Sequence, residues 1–155
     1  VNKVDVYHLN ASQCISDISE LVNSGASVPV AVSGSSMMPL LKPGRDIVWL
    51  EGCTKSSIRK YSILLFLRSD GTPVLHRVIK IGNGKLIMNG DALDWSEVIA
   101  YEQVVACVGT IERNGKKLDS NMFLLKIWNV CWRFTRPFRQ KLKRIRKALK
   151  RGKSI

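Results

Sequence analysis

The chain has 155 residues and is 45% apolar, enough for one domain with a genuine core plus appendages. Its net charge of +13 is uneven: residues 1 to 120 hold 13 Lys and Arg against 12 Asp and Glu, while residues 121 to 155 hold 12 Lys and Arg and no acid. This split excludes a generally polyanion-binding surface on the first 120 residues and assigns the basic character to a tail.

Cys14, Cys53, Cys107 and Cys131 form no Cys-x-x-Cys pair, and only His8 and His76 stand by to assist. Zinc-ligand spacing is absent, so the thiols read as free and fit a reducing compartment. No metal or cofactor is expected. Asn2, Lys3 and Asp5 interrupt the opening residues, which do not read as a secretory leader. Lys126, Asn129 and Arg133 interrupt Met122 to Phe134, which falls short of the ~20 apolar residues of a spanning helix. A cytoplasmic protein, or one peripheral at a membrane surface, is the expectation.

In chain order, residues 3 to 9 alternate loosely and suggest an edge strand. Asn10 offers an N-cap with Gln13 at the capping-box position. Ile15, Ile18, Leu21 and Val22 then share a helical face, and Gly25 ends the run, predicting a short helix over 11–23. Val28 to Ser33 reads as a strand by its β-branched content.

It runs into Ser33-Gly34-Ser35-Ser36-Met37-Met38-Pro39. Gly34 widens the allowed backbone angles and Pro39 restricts Met38, so a rigid turn should present Ser35 or Ser36 at the edge of a sheet. A serine so held becomes a nucleophile when a base reaches it.

Further strands are expected over 46–50, 61–67, 73–81, 85–89 and 103–112. Polar 52–60 reads as a loop; 69–72, 82–84 and 114–115 carry turn chemistry. Short strands at this spacing predict a mainly β domain over 1–120. His76 lies on the third of these strands, 73–81, and an unperturbed imidazole accepts a proton at pH 7.

The tail at 121–155 changes pattern. Trp128, Cys131, Phe138, Leu142, Ile145 and Leu149 fall on one helical face opposite Arg139, Lys143, Arg146, Lys147 and Lys150. Pro137 should split it into two helical pieces. An apolar stripe opposite cations suits an interfacial helix, so residues 121–151 are expected to meet a membrane surface in preference to nucleic acid.

Ser36-Met37-Met38-Pro39, then His76-Arg77-Val78, then Asn89-Gly90-Asp91, in this order, resembles the type I signal peptidases and the wider superfamily that includes LexA-like autoproteases. The closer likeness is to the histidine-using branch found in archaea and in the endoplasmic reticulum. It spans roughly residues 28 to 111.

The resemblance implies a small signal-peptidase-like β fold and a serine endopeptidase that cuts a leader or signal segment from a precursor. It implies Ser36 as nucleophile and His76 as base. Asp91 would be the acid, with Asp94 as alternative. Gly34 and Ser35 would shape the turn and the oxyanion site, and Met37 and Met38 would form substrate pockets together with Val30, Val32 and Leu40.

Some family members carry a hydroxyl residue where this chain has Gly34, and the family commonly has Gly-Asp without the intervening Arg45 of Gly44-Arg45-Asp46. An Asp46–Arg77 bridge between the serine and histidine strands is a further expectation. The alternative is a non-enzymatic or self-cleaving module that binds a membrane surface or nucleic acid through the tail. Against self-cleavage, the chain has no Ala-Gly or Cys-Gly bond and carries His76 where that group has a lysine.

Overall fold

The computed structural model describes residues 7–8, 13–119 and 131. The chain divides into units 1–121 and 122–155, and everything below concerns the first. The tail helices and the Asn10 cap lie outside the described residues. Among the described residues, no helix is long and apolar enough to cross a membrane.

The elements are β1 (Tyr7–His8), α1 (Gln13–Asn23), β2 (Val28–Ala31), β3 (Asp46–Glu51), β4 (Ile63–Leu67), β5 (Pro73–Gly82), β6 (Lys85–Asn89), β7 (Glu97–Ala100), β8 (Val104–Arg113) and β9 (Lys116–Asp119). The unit is mainly β, as the turn signals indicate. Its strands lie in the order β1-β2-β3-β8-β4-β5-β6-β7, with β9 also paired to β8. β1 pairs β2 in parallel, and the other neighbours are antiparallel.

Local chemistry explains the corners. Asn83-Gly84 and Asn114-Gly115 have positive φ throughout (51° and 71°, 51° and 73°), the backbone that two-residue hairpins need. Gly25, at φ 90°, ends α1: its N–H donates to Val22 O at 3.1 Å and Ala26 N–H donates to Leu21 O at 3.0 Å. This is the double bond of a left-handed helix terminus. Ile15, Ile18 and Val22 are buried on the sheet, but Leu21 is 37% exposed, so the apolar stripe is narrower than its sequence spacing suggests.

The β4 residues Ile63, Leu64, Leu65 and Phe66 are all buried, and the strand lies between β8 and β5. Leu64 and Phe66 enter a core cluster with Ile58, Val78, Leu86, Met88 and Ile99. Cross-strand register fixes which side chains join them. Leu64 lies opposite His76, and Met88 lies opposite both Val78 and Glu97. Residues directly opposite share a face and successive residues alternate. His76 and Glu97 therefore belong to the face of Leu64 and Met88, while Arg77, opposite Ile63 and Asn89, belongs to the other.

The sequence reading differs from the fold at two points. β7 is a strand that it does not anticipate. Asp46 does not bridge to Arg77. Its buried carboxylate takes bonds from Arg45 (2.7 and 3.0 Å), Arg113 (2.7 and 3.3 Å) and the Lys42 N–H (2.8 Å). The intervening Arg45 thus closes its own turn onto Asp46. Burial raises this carboxyl, but the donors outweigh it and leave the pKa below the ordinary 3.8.

Candidate active site

β2 ends at Ala31, and the Val32 N–H still reaches Asp46 O on β3 at 3.1 Å. The chain then leaves the sheet. The Met38 N–H bonds Ser35 O at 3.1 Å and the Leu41 N–H bonds Met37 O at 3.0 Å, making a compact turn that contains a cis Met38–Pro39 bond. Met37, Leu40 and Leu41 are buried and anchor the turn from below. Ser36 is left half-buried between an exposed Ser35 and the buried Met37.

The Asn89-Gly90-Asp91 segment leaves β6 beside this turn, and each of its residues has a separate task. The Asn89 amide donates to the Trp95 carbonyl and closes the 90–96 loop. A Cβ added at Gly90 would lie 2.7 Å from Ser36 O and 2.9 Å from His76 Nε2. Only a hydrogen leaves room there for the serine backbone and the imidazole together. Asp91 takes a two-pronged bond from Arg77, Nε to Oδ1 and Nη2 to Oδ2, each 2.8 Å. The loop is tied to the serine turn by the Ala92 N–H, which donates to Ser36 O at 2.8 Å.

The sequence reading pairs Asp91 with the imidazole, and the geometry does not. The carboxylate at His76 is Glu97 of β7, whose Oε1 lies 2.8 Å from Nδ1. It sits off the axis of the ring N–H, so the contact is a close approach and not an aligned hydrogen bond. The physical reason is strand alternation. His76 and Arg77 are consecutive and face opposite ways, and Asp91 follows Arg77. Asp94 is exposed in the loop.

Glu97 is itself held. Arg68, just beyond β4, donates Nε to Oε2 at 2.7 Å and Nη2 to Oε1 at 2.9 Å. The Arg68 guanidinium also lies over the Trp95 ring, 5.6 Å from its centroid. Trp95, 47% exposed, presents its ring edge-on to His76 at 6.3 Å, and Phe66 flanks the imidazole at 6.0 Å.

Electrostatics follow from these contacts. His76 is 2% exposed, and burial pushes its pKa down; Glu97 pulls it up and Arg68 pushes it down, leaving it below the ordinary 6.5. For Glu97, burial acts upward, but the fork from Arg68 and the approach of His76 overcome it and hold the carboxyl below 4.5. At pH 7 the pair is a neutral imidazole beside a carboxylate, which is the state of a general base with an orienting acid.

Ser36 and His76 line one cleft of about 320 Å³, with Gly34, Met37 and Arg68 also in its wall. Val32, Val74, Leu75, Leu93 and Trp95 supply apolar lining. Of the other expected pocket residues, Val30 and Leu40 are core, and Ser35 and Met38 are not in the wall. An added Cβ at Gly34 meets open space, so packing does not require a glycine there.

Glu97, Arg68 and Trp95 escape the sequence reading. The signal for the first was a short β-branched run, Glu97-Val98-Ile99-Ala100, after the 90–96 loop that follows β6.

Cys14, Cys53 and Cys107 form no disulfide. No group of three or more His, Cys, Asp or Glu among the described residues is arranged to hold a metal ion. No protein-family model matches this chain, and no curated protein matches it.

Proposed function

We propose that this chain is a serine endopeptidase that removes a leader or signal segment from a precursor polypeptide, on a β fold like that of the histidine-using signal peptidases. The observation that carries the reading is the cleft itself. It brings Ser36, from the turn after β2, and His76, from β5, into one wall, with a carboxylate behind the imidazole.

In the proposed mechanism Ser36 Oγ attacks the scissile carbonyl carbon and passes its proton to His76 Nε2. Glu97 keeps the proton of Nδ1 on the far side and stabilises the imidazolium that forms. The developing oxyanion is held by backbone N–H groups of the serine turn, that of Ser36 being the first candidate, since residue 34 offers no side-chain donor. The imidazolium then protonates the leaving amine. Water, deprotonated by the same base, releases the acyl group from Ser36.

The substrate binds extended against the cleft, with small side chains toward Val32, Met37 and Leu93. The enzyme works in solution or at a membrane surface.

The test is turnover of a leader-type peptide together with covalent labelling by a fluorophosphonate. Wild type should cleave and label. Ser36→Ala should do neither, with a loss of ~10⁴ or more in turnover. Ser35→Ala should keep substantial activity. Equal turnover in wild type and Ser36→Ala would sink the proposal.

A further inference from the structure

One side chain touches both groups that box in the imidazole. Arg68 forks onto Glu97 through Nε and Nη2, at 2.7 and 2.9 Å, and its guanidinium also stacks on Trp95. Glu97 faces His76 Nδ1 from β7, and Trp95 meets the ring from the loop before it. Phe66, on β4, closes a third side and carries no freedom or charge of its own.

Glu97 has three rotatable bonds' worth of slack at the edge of the sheet, where β7 pairs only with β6 among the described strands. Nothing about a strand-edge glutamate fixes its carboxylate plane. A bidentate guanidinium does, because two parallel N–H···O bonds set both distance and plane. The Oε1 that accepts from Arg68 Nη2 is the same atom that approaches His76 Nδ1.

We infer that Arg68 is the positioning residue of this site: its fork holds the Glu97 carboxylate against His76 Nδ1, and its stacked face holds the Trp95 indole at the ring edge. The inference extends the peptidase reading to the group that organises the base, and in its catalytic consequence it rests on that reading. Arg68 touches neither reacting atom. Lysine in its place would keep the charge and lose the fork.

The charged groups that act on His76 are Glu97 from β7, Arg68 from the end of β4 and, from the opposite face and more weakly, Asp91 after β6. Their signs make the inference testable without any substrate. Arg68 disfavours the imidazolium, so Arg68→Gln should raise the His76 pKa. Glu97 favours it, so Glu97→Gln should lower the pKa further. Arg68→Lys, with the cation retained, should titrate close to wild type.

The experiment is a pH titration of the imidazole by NMR on the full chain. Its two histidines are assigned with a His8→Gln control. Thermal melts run alongside show that each variant is folded. The second readout is kcat and KM on a leader-type peptide. Arg68→Gln and Arg68→Lys should both lose at least tenfold in kcat with little change in KM, although only the first moves the titration.

An Arg68→Gln protein that titrates like wild type overturns the inference, as does an Arg68→Lys protein with wild-type kcat. Should no variant, wild type included, cleave the peptide, the peptidase reading falls by itself, and the opposite shifts in Arg68→Gln and Glu97→Gln still decide whether Arg68 sets the state of His76.

Discussion

Two acid–arginine forks lie on the two faces of the sheet around β5, built from the same chemistry in different surroundings. On one face Arg77 grips Asp91 through two 2.8 Å bonds, and both residues are buried, at 5% and 8% exposure. On the other face Arg68 grips Glu97 at 2.7 and 2.9 Å, but that pair opens to the cleft and shares one oxygen with His76. The first fork is closed: each of its carboxylate oxygens meets a guanidinium nitrogen, and the Arg77 Nη1 turns to Tyr61 O at 3.2 Å. The second holds a carboxylate whose reach extends to a titratable ring. The difference teaches that a carboxylate can orient an imidazole while it is itself held by an arginine, provided one oxygen stays within reach of the ring.

Removing the base should have the largest effect. His76→Ala should cost as much turnover as Ser36→Ala, ~10⁴-fold or more, because members of one catalytic unit are not additive. The pH profile carries the sign. The active form is the neutral imidazole, and its pKa lies below 6.5. The rate should therefore fall as pH drops through that lowered value, and the acid limb should sit below 6.5. An acid limb well above 6.5, or full activity in His76→Ala, would mean another base.

The two acids should then separate. Glu97→Gln should lose about 10²- to 10⁴-fold in kcat, the range of general-base assistance, with a modest change in melting temperature. Asp91→Asn should do the reverse in emphasis. It leaves Arg77 buried without its counter-charge, a defect that costs about 3–5 kcal/mol of stability. Urea unfolding and peptide turnover on the same two proteins make the comparison. If Asp91→Asn is the catalytically dead, fully stable one, the roles assigned to the two faces are reversed.

These roles were only half legible in the sequence. The turns and most strands could be read because their signals are local: Asn-Gly pairs, β-branched runs, the apolar β4. Ser36 and His76 could be singled out because each sits in a short pattern. Glu97 could not, because what brings it to His76 is register. Met88 faces Glu97 across β6 and β7, and Gly90 falls beside His76 just past the end of β6, and neither proximity has a local signature. The contact of Asp91 with Arg77 had a legible part. His76 and Arg77 are neighbours on a strand, so an acid that serves one is badly placed for the other.

Gly90 joins the comparison, since a side chain there would meet both the serine turn and the imidazole. Gly90→Ala would bring a methyl to 2.7 Å from Ser36 O and 2.9 Å from His76 Nε2, closer than either backbone or ring can accept without moving. The expected cost is about 1–3 kcal/mol of stability from overpacking. Turnover should fall about 10²-fold, as a small misplacement of reacting groups produces. Unchanged turnover would show that the Ser36–His76 alignment has more slack than the close packing at Gly90 indicates.

The smallest expected effect lies on the serine turn and is a gain. Position 34 lines the cleft, and an added Cβ there meets nothing within 4 Å, so Gly34→Ser should fold as well as wild type. In the signal peptidases on which the proposed function is drawn, some members place a hydroxyl two residues before the nucleophile, where it helps to hold the oxyanion. A well-placed donor of that kind is worth about 10²–10³ in kcat when an existing one is removed. A hydroxyl grafted onto a site that evolved without it lacks the supporting contacts, so a gain of about two- to tenfold in kcat, with KM unchanged, is the expectation. The Gly34→Ala control has the same Cβ and no donor. A gain shared by both variants would trace to a stiffer turn, and a gain confined to serine would place the oxyanion beside residue 34. A loss in both would mean that the cleft needs the open space at this glycine for its substrate.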